Sequence, residues 1–313
     1  SRMGNTSYAS AVAAVRAMEN SLLTHSDIEQ LIASKSKAEY NSLISAKGSE
    51  QATLEDVWDM LRAYAPNDRE LEILLYKNDF HNLKAALKAV ISGKEPQHYF
   101  ILPTNLDLDK LVVAIKSKEY EYLPEYIRKT AQEAYELLTR TLDGQLSDSV
   151  IDTAALEAMQ RAAYRHGGEF MRRYAEMTAL YADIKTAYRC ALMKKPKSFI
   201  ETAVCGTSEL DKDSLVRAAL EGVDGLFAYL KNTQYSDAAK LLRESPAKFE
   251  KLCDDEMIEL AQTSRMTAFG TEPLAAYYLA KEAEIKNLRI ISVCKESGTD
   301  RETITERMRK LYV

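Results

Sequence analysis

The chain has 313 residues, 46% hydrophobic and 28% charged, enough to bury a core and long enough for more than one substructure. Its 42 basic and 47 acidic residues give a net charge of −5, without the basic surplus of a general nucleic-acid binder, and no apolar run approaches the roughly 18 residues of a membrane span. Only 11 glycines and 7 prolines interrupt a chain rich in Ala, Leu, Glu and Lys, which disfavours a turn-rich β architecture and predicts an all-α fold.

Ser1-Arg2 ahead of Met3 reads as a cloning remnant, and no secretory signal is expected. In chain order, Ser26-Asp27-Ile28-Glu29 reads as a capping box opening a short helix through Leu31. A long helix is predicted from Pro66-Asn67-Asp68 to Gly93, stopped by Gly93-Lys94-Glu95-Pro96 and followed by Phe100-Ile101. Asp107 to Leu111 opens a second short helix. Tyr120, Tyr122 and Tyr126 cluster around Leu123-Pro124 and read mainly as core-edge residues. A second long helix runs from Gly167-Gly168-Glu169 to Pro196, through the solvated basic terminus Lys194-Lys195-Pro196-Lys197, with Phe199-Ile200 after it. Asp211 to Leu215 opens a third short helix, and Gly270-Thr271-Glu272 a third long one ending at Gly298. Thr299-Asp300-Arg301-Glu302 then caps a last helix carrying Ile304, Met308 and Leu311 at helical spacing. At about 26 residues, each long helix would measure about 39 Å.

These elements repeat. Asn82-Leu83-Lys84, Asp183-Ile184-Lys185 and Asn287-Leu288-Arg289 share the order small polar, aliphatic, basic, at offsets of 101 and 104 residues. Carboxylates at Asp68, Glu169 and Glu272 open the long helices at offsets of 101 and 103. Two independent landmarks therefore keep one period of about a hundred residues. This predicts three related helical repeats at 3–100, 101–204 and 205–313, packed with pseudo-threefold symmetry or as a short solenoid. Under threefold packing, Lys84, Lys185 and Arg289 would form a basic ring that a partner's carboxylates or nearby acids such as Asp79, Asp183 and Glu284 must offset.

Catalytic signatures are missing: there is no phosphate loop, Rossmann fingerprint, HExxH or nucleophile elbow. Cys190, Cys205, Cys253 and Cys294 are widely spaced and read as reduced thiols. His25, His81, His98 and His166 have no ligand spacing, so no metal or other cofactor is expected. An all-α enzyme using scattered Asp, Glu and Tyr is disfavoured, because carboxylates at helix termini usually act as caps.

The run Thr271 to Ile291, with Glu272-Pro273-Leu274-Ala275-Ala276-Tyr277-Tyr278-Leu279-Ala280-Lys281-Glu282 at its core, resembles the C-terminal long helix of the C subunit of V/A-type (vacuolar-type) rotary ATPases and ATP synthases, the homologue of the eukaryotic V-ATPase d subunit. Asn78-Asp79-Phe80-His81-Asn82-Leu83-Lys84 resembles the matching helix of that family's first repeat, and the central Ala182-Asp183-Ile184-Lys185 matches more weakly. The resemblance implies a funnel-shaped pseudo-threefold assembly of three helical repeats, non-catalytic and peripheral to the membrane on its cytoplasmic side. It would be a socket between the central shaft subunits and the membrane rotor ring, without a transmembrane segment of its own. Partner contacts are expected at Lys84, Lys185, Arg289, Asp68, Glu169 and Glu272. The alternative is a generic helical-repeat interaction scaffold.

Overall fold

The computed structural model describes residues 8–48, 53–65 and 68–313. Every regular element among them is helical, with no strand, as composition predicts. Two compact units are present, one built from the described residues up to Leu71 together with Leu241–Val313, the other from Glu72–Lys240. These divisions fall inside the first and third of the repeats expected from the sequence.

In the first unit the spine is the helix Glu272–Glu296. Every residue from Pro273 to Lys281 is buried, so the helix enters the core on all sides, and its small alanines at 275, 276 and 280 admit close neighbours. Tyr278 meets Trp58 edge-to-face at 5.8 Å. Further on, burial narrows to a stripe at Glu284, Asn287, Ile291 and Cys294, the spacing of one helical face. Ile291 and Cys294 pack there with Leu23, Ile28, Leu31 and Ile304.

In the second unit Gly144–His166 and Glu169–Leu192 form an antiparallel pair around Gly167-Gly168. A Cβ at Gly167 would stand 2.8 Å from the Ala163 carbonyl, which explains the glycine by close approach. Tyr76–Ser92 and Glu125–Thr141 pack onto the first helix of this pair.

Three elements differ from expectation. The first capping box is Thr24 with Asp27, two residues earlier than Ser26, because the Thr24 hydroxyl accepts the Asp27 N–H and the Asp27 carboxylate accepts the Thr24 N–H. The predicted first long helix is broken. Asp68 caps a four-residue helix, Arg69–Glu72, then a 3-10 turn at Ile73–Leu75 leads into Tyr76–Ser92. Ile73, Leu74 and Leu75 are all buried, which one apolar stripe cannot achieve for three successive residues, and the backbone tightens where they enter the core. Pro66 and Asn67, the rest of that predicted opening, lie outside the described residues. Finally, the last helix is Arg301–Arg307, capped by Asp300 through the Thr303 N–H, so Leu311 is buried in an extended tail rather than on the helix.

Candidate functional site

A polar residue in mid-helix must find partners for its side chain, and burial makes the requirement strict. Asn82, Asp183 and Asn287 are fully buried within their helices. Asn82 Nδ2 donates to the Ile101 carbonyl at 3.0 Å and Asn82 Oδ1 accepts the Ile101 N–H at 2.8 Å. Asn287 does the same to Arg309, at 3.0 and 2.8 Å. Asp183, which has no donor, accepts the N–H groups of Cys205 at 3.0 Å and Gly206 at 2.7 Å. In all three helices, then, the small polar residue clasps the backbone of the segment leaving its helix. The clasped residues Ile101, Cys205 and Arg309 are themselves 104 residues apart, as are the short helices Lys197–Ala203 and Arg301–Arg307. The repeated triplet seen in the sequence is thus a structural device.

Nearby acids are engaged as well. Asp79 accepts from Thr104 Oγ1 at 2.5 Å, the Asn105 N–H at 2.8 Å and Tyr126 Oη at 2.7 Å, with the Tyr126 ring stacked on Tyr76. Burial pushes the Asp79 and Asp183 carboxyls above the ordinary carboxylate range, against the hydrogen bonds they accept. Glu284 pairs with Lys281 at 2.5 Å, both buried, and accepts the Leu23 N–H at 2.7 Å.

The six candidate residues fare differently. Lys84 Nζ lies 2.6 Å from Asp152 on the Gly144–His166 helix, so its ion pair reaches across helices. Lys185 is half-buried. Asp68 accepts the N–H groups of Glu70 and Leu71 and the Tyr8 hydroxyl. Glu272 sits in the first turn of its helix, 3.4 Å from Thr267 Oγ1. Glu169 and Arg289 alone present exposed side chains. Lys84 and Lys185 belong to one unit and Arg289 to the other.

Residues around Arg289 that sequence reasoning missed draw attention to one trough of the first unit. Asp254 on Pro246–Thr263 binds both Lys286, at 2.5 Å, and Arg309, at 2.8 Å. The signal available was the density of basic residues at 286, 289, 307, 309 and 310, visible only once the tail is known to fold back. Among the described residues no group of His, Cys, Asp or Glu could hold a metal ion, and no helix is long and apolar enough to cross a membrane. All four cysteines are free, Cys190 and Cys294 buried.

Residues 50–307 match the family described as ATP synthase (C/AC39) subunit. The chain belongs to that family. This C/AC39 chain is 28% identical to the C subunit of the V-type sodium ATPase of Enterococcus hirae, covering 82% of the chain and 79% of the relative. It is 25% identical to the C subunit of the A-type ATP synthase of Pyrococcus abyssi, covering 98% and 91%, and 23% identical to that of Pyrococcus horikoshii, covering 96% and 90%. The C/AC39 match spans all three clasping residues, and only the clasped Arg309 falls past its end.

Proposed function

We propose that this chain is a non-catalytic central-stalk component of a V/A-type rotary ATPase, a socket through which the central shaft grips the membrane rotor ring. Family membership makes it a subunit of such a complex. The observation that carries the finer reading is the thrice-repeated clasp, which ties each long helix to the segment leaving it and suits a part that must pass torque without yielding at its loops. The three repeats, bounded near residues 100 and 204, supply the walls of the socket in pseudo-threefold arrangement. The protein works from the aqueous, cytoplasmic side of the membrane. Of the six candidate contacts, Arg289 and Glu169 are the two whose side chains are exposed to a partner, while Lys84, Lys185, Asp68 and Glu272 are half-buried.

Co-sedimentation tests this. The purified chain is mixed with detergent-solubilised rotor ring, with shaft subunits, and with both. Recovery with the ring, increased by the shaft, is the expected result. A natively helical chain that stays in the supernatant in all three mixtures would overturn the socket reading.

A further inference from the structure

In a chain of net charge −5, one trough of about 730 Å³ is ringed by cations. It lies wholly within the first unit, between the start of Pro246–Thr263, the outer half of Glu272–Glu296, and the last helix with its tail. Lys248, Lys251, Lys286, Arg289, Arg307 and Arg309 line it, with Glu306 the one acid among the lining residues. Four of these cations already have carboxylates. Lys248 pairs with Glu244, Lys251 with Asp255 at 2.7 Å, and Lys286 and Arg309 share Asp254. Arg289 and Arg307 are exposed and have no carboxylate within ion-pair distance among the described residues; Arg307 donates to the Cys294 thiol at 3.4 Å. Ile290 and Val293, the latter 57% exposed, add apolar surface to the same lining.

We propose that this trough docks an acidic, amphipathic helix of a protein partner. The proposal deepens the stalk-component reading and rests on it for the setting in which such a partner is met. Charge complementarity selects the occupant. Two uncompensated guanidinium groups share the trough's lining with two aliphatic side chains, and guanidinium forks bind carboxylates in bidentate fashion. A helix laying leucines on Ile290 and Val293 would hold glutamates one turn away against Arg289 and Arg307. From Lys286 to Val293 the wall rises about 10 Å at 1.5 Å per residue, room for two turns of such a helix.

The test uses the full chain and a fluorescein-labelled peptide of glutamates with leucines at every fourth position, read by anisotropy, with a lysine–leucine counterpart as control. The parent should bind the acidic peptide and not the basic one. Binding should weaken as salt rises from about 0.1 to about 1 M and the Debye length falls from about 10 to about 3 Å. Arg289→Glu with Arg307→Glu, two exposed sites whose reversal is checked for a native helical spectrum, should weaken binding by about tenfold or more, since each replaces an attraction by a repulsion. Val293→Asp should weaken it as well, while Lys129→Glu, an exposed charge in the other unit, should leave it unchanged. Equal binding by the parent and the double variant, or equal binding of both peptides, overturns the proposal. So does capture by phosphatidylglycerol vesicles that the double variant loses, with no binding of the acidic peptide, because the trough would then face a lipid surface. The peptide arm needs no other component of the complex, so its failure leaves the co-sedimentation result standing, and the reverse holds.

Discussion

Asn287→Ala removes both hydrogen bonds to the Arg309 backbone and leaves that residue's N–H and carbonyl without partners. Each bond contributes about 1 kcal/mol net, and a buried backbone group stripped of its partner costs about 1–3 kcal/mol. Arg309 is half-buried, so water recovers part of that cost, and the local loss comes to about 2–4 kcal/mol. The chain has two compact units, so one global unfolding energy is poorly defined, and the decisive assay is local. Native-state hydrogen exchange at the Arg309 amide should quicken by roughly one and a half to three orders of magnitude, at about 1.4 kcal/mol per tenfold. Asn287→Asp keeps the acceptor for the Arg309 N–H but turns an oxygen toward its carbonyl, so protection should fall part-way. At the middle repeat the polarity is reversed. Asp183→Asn would aim an amide donor at the N–H of Cys205 or Gly206 and should damage that repeat although the shape is conserved. Unchanged exchange at Arg309 in Asn287→Ala would refute the clasp as a source of tail stability.

Three further outcomes follow from particular residues. Gly270 has φ of +92° with no atom near a Cβ, so Gly270→Leu should cost about 1–3 kcal/mol through backbone strain alone, and a urea midpoint equal to the parent's would contradict the strain. Lys281→Met strands the buried Glu284 carboxylate and Glu284→Gln the buried Lys281 ammonium, so each should destabilise the first unit by about 3–5 kcal/mol, and chemical denaturation equal to the parent's in either would contradict the buried pair. Hydrogen bonds from the Thr303 N–H and then its hydroxyl hold the Asp300 carboxyl below its ordinary value, so its contribution is complete above the usual carboxylate range and lost as pH falls through the depressed value. Amides of residues 303–307 should therefore lose protection in acid, and Asp300→Asn should flatten that pH dependence.

Much of this was legible in the sequence because it depends on spacing. The caps at Asp107 and Asp211 stand where their sequence pattern places them, and the helices Glu169–Leu192 and Glu272–Glu296 begin at the expected carboxylates. The repeat offset was readable from Asn82, Asp183 and Asn287, but their task was not. A polar residue in a helix reads as solvent-facing until the segment it meets, 19 to 23 positions later, is known to return to it. The break at Ile73–Leu75 was hidden because those residues are good helix formers, and only packing on all sides tightens the turn. Leu311 misled for a related reason. Its apolar period continues that of Ile304 and Met308, while the backbone has already left the helix at Met308 to reach Asn287. The basic trough escaped notice because its walls come from residues 245–251 and 286–309, which no local pattern joins.

Tying the chain at Ile101, Cys205 and Arg309 turns each turn-plus-short-helix into a loop knotted at its neck. What happens inside the loop does not move the neck. Nineteen positions separate Asn82 from Ile101 and 22 separate Asn287 from Arg309, and both pairs close on the same bidentate amide. Lengthening such a loop is cheap, about 0.6 kcal/mol per doubling, so the stretch Gly93 to Glu95 is a place where an inserted tag should leave the clasp in place. A pull on the chain past Ile101 reaches Asn82, six positions along the helix from its start at Tyr76, before it reaches the turn at Gly93. The neck of each loop is thereby anchored to a helix and not to the loop's own residues.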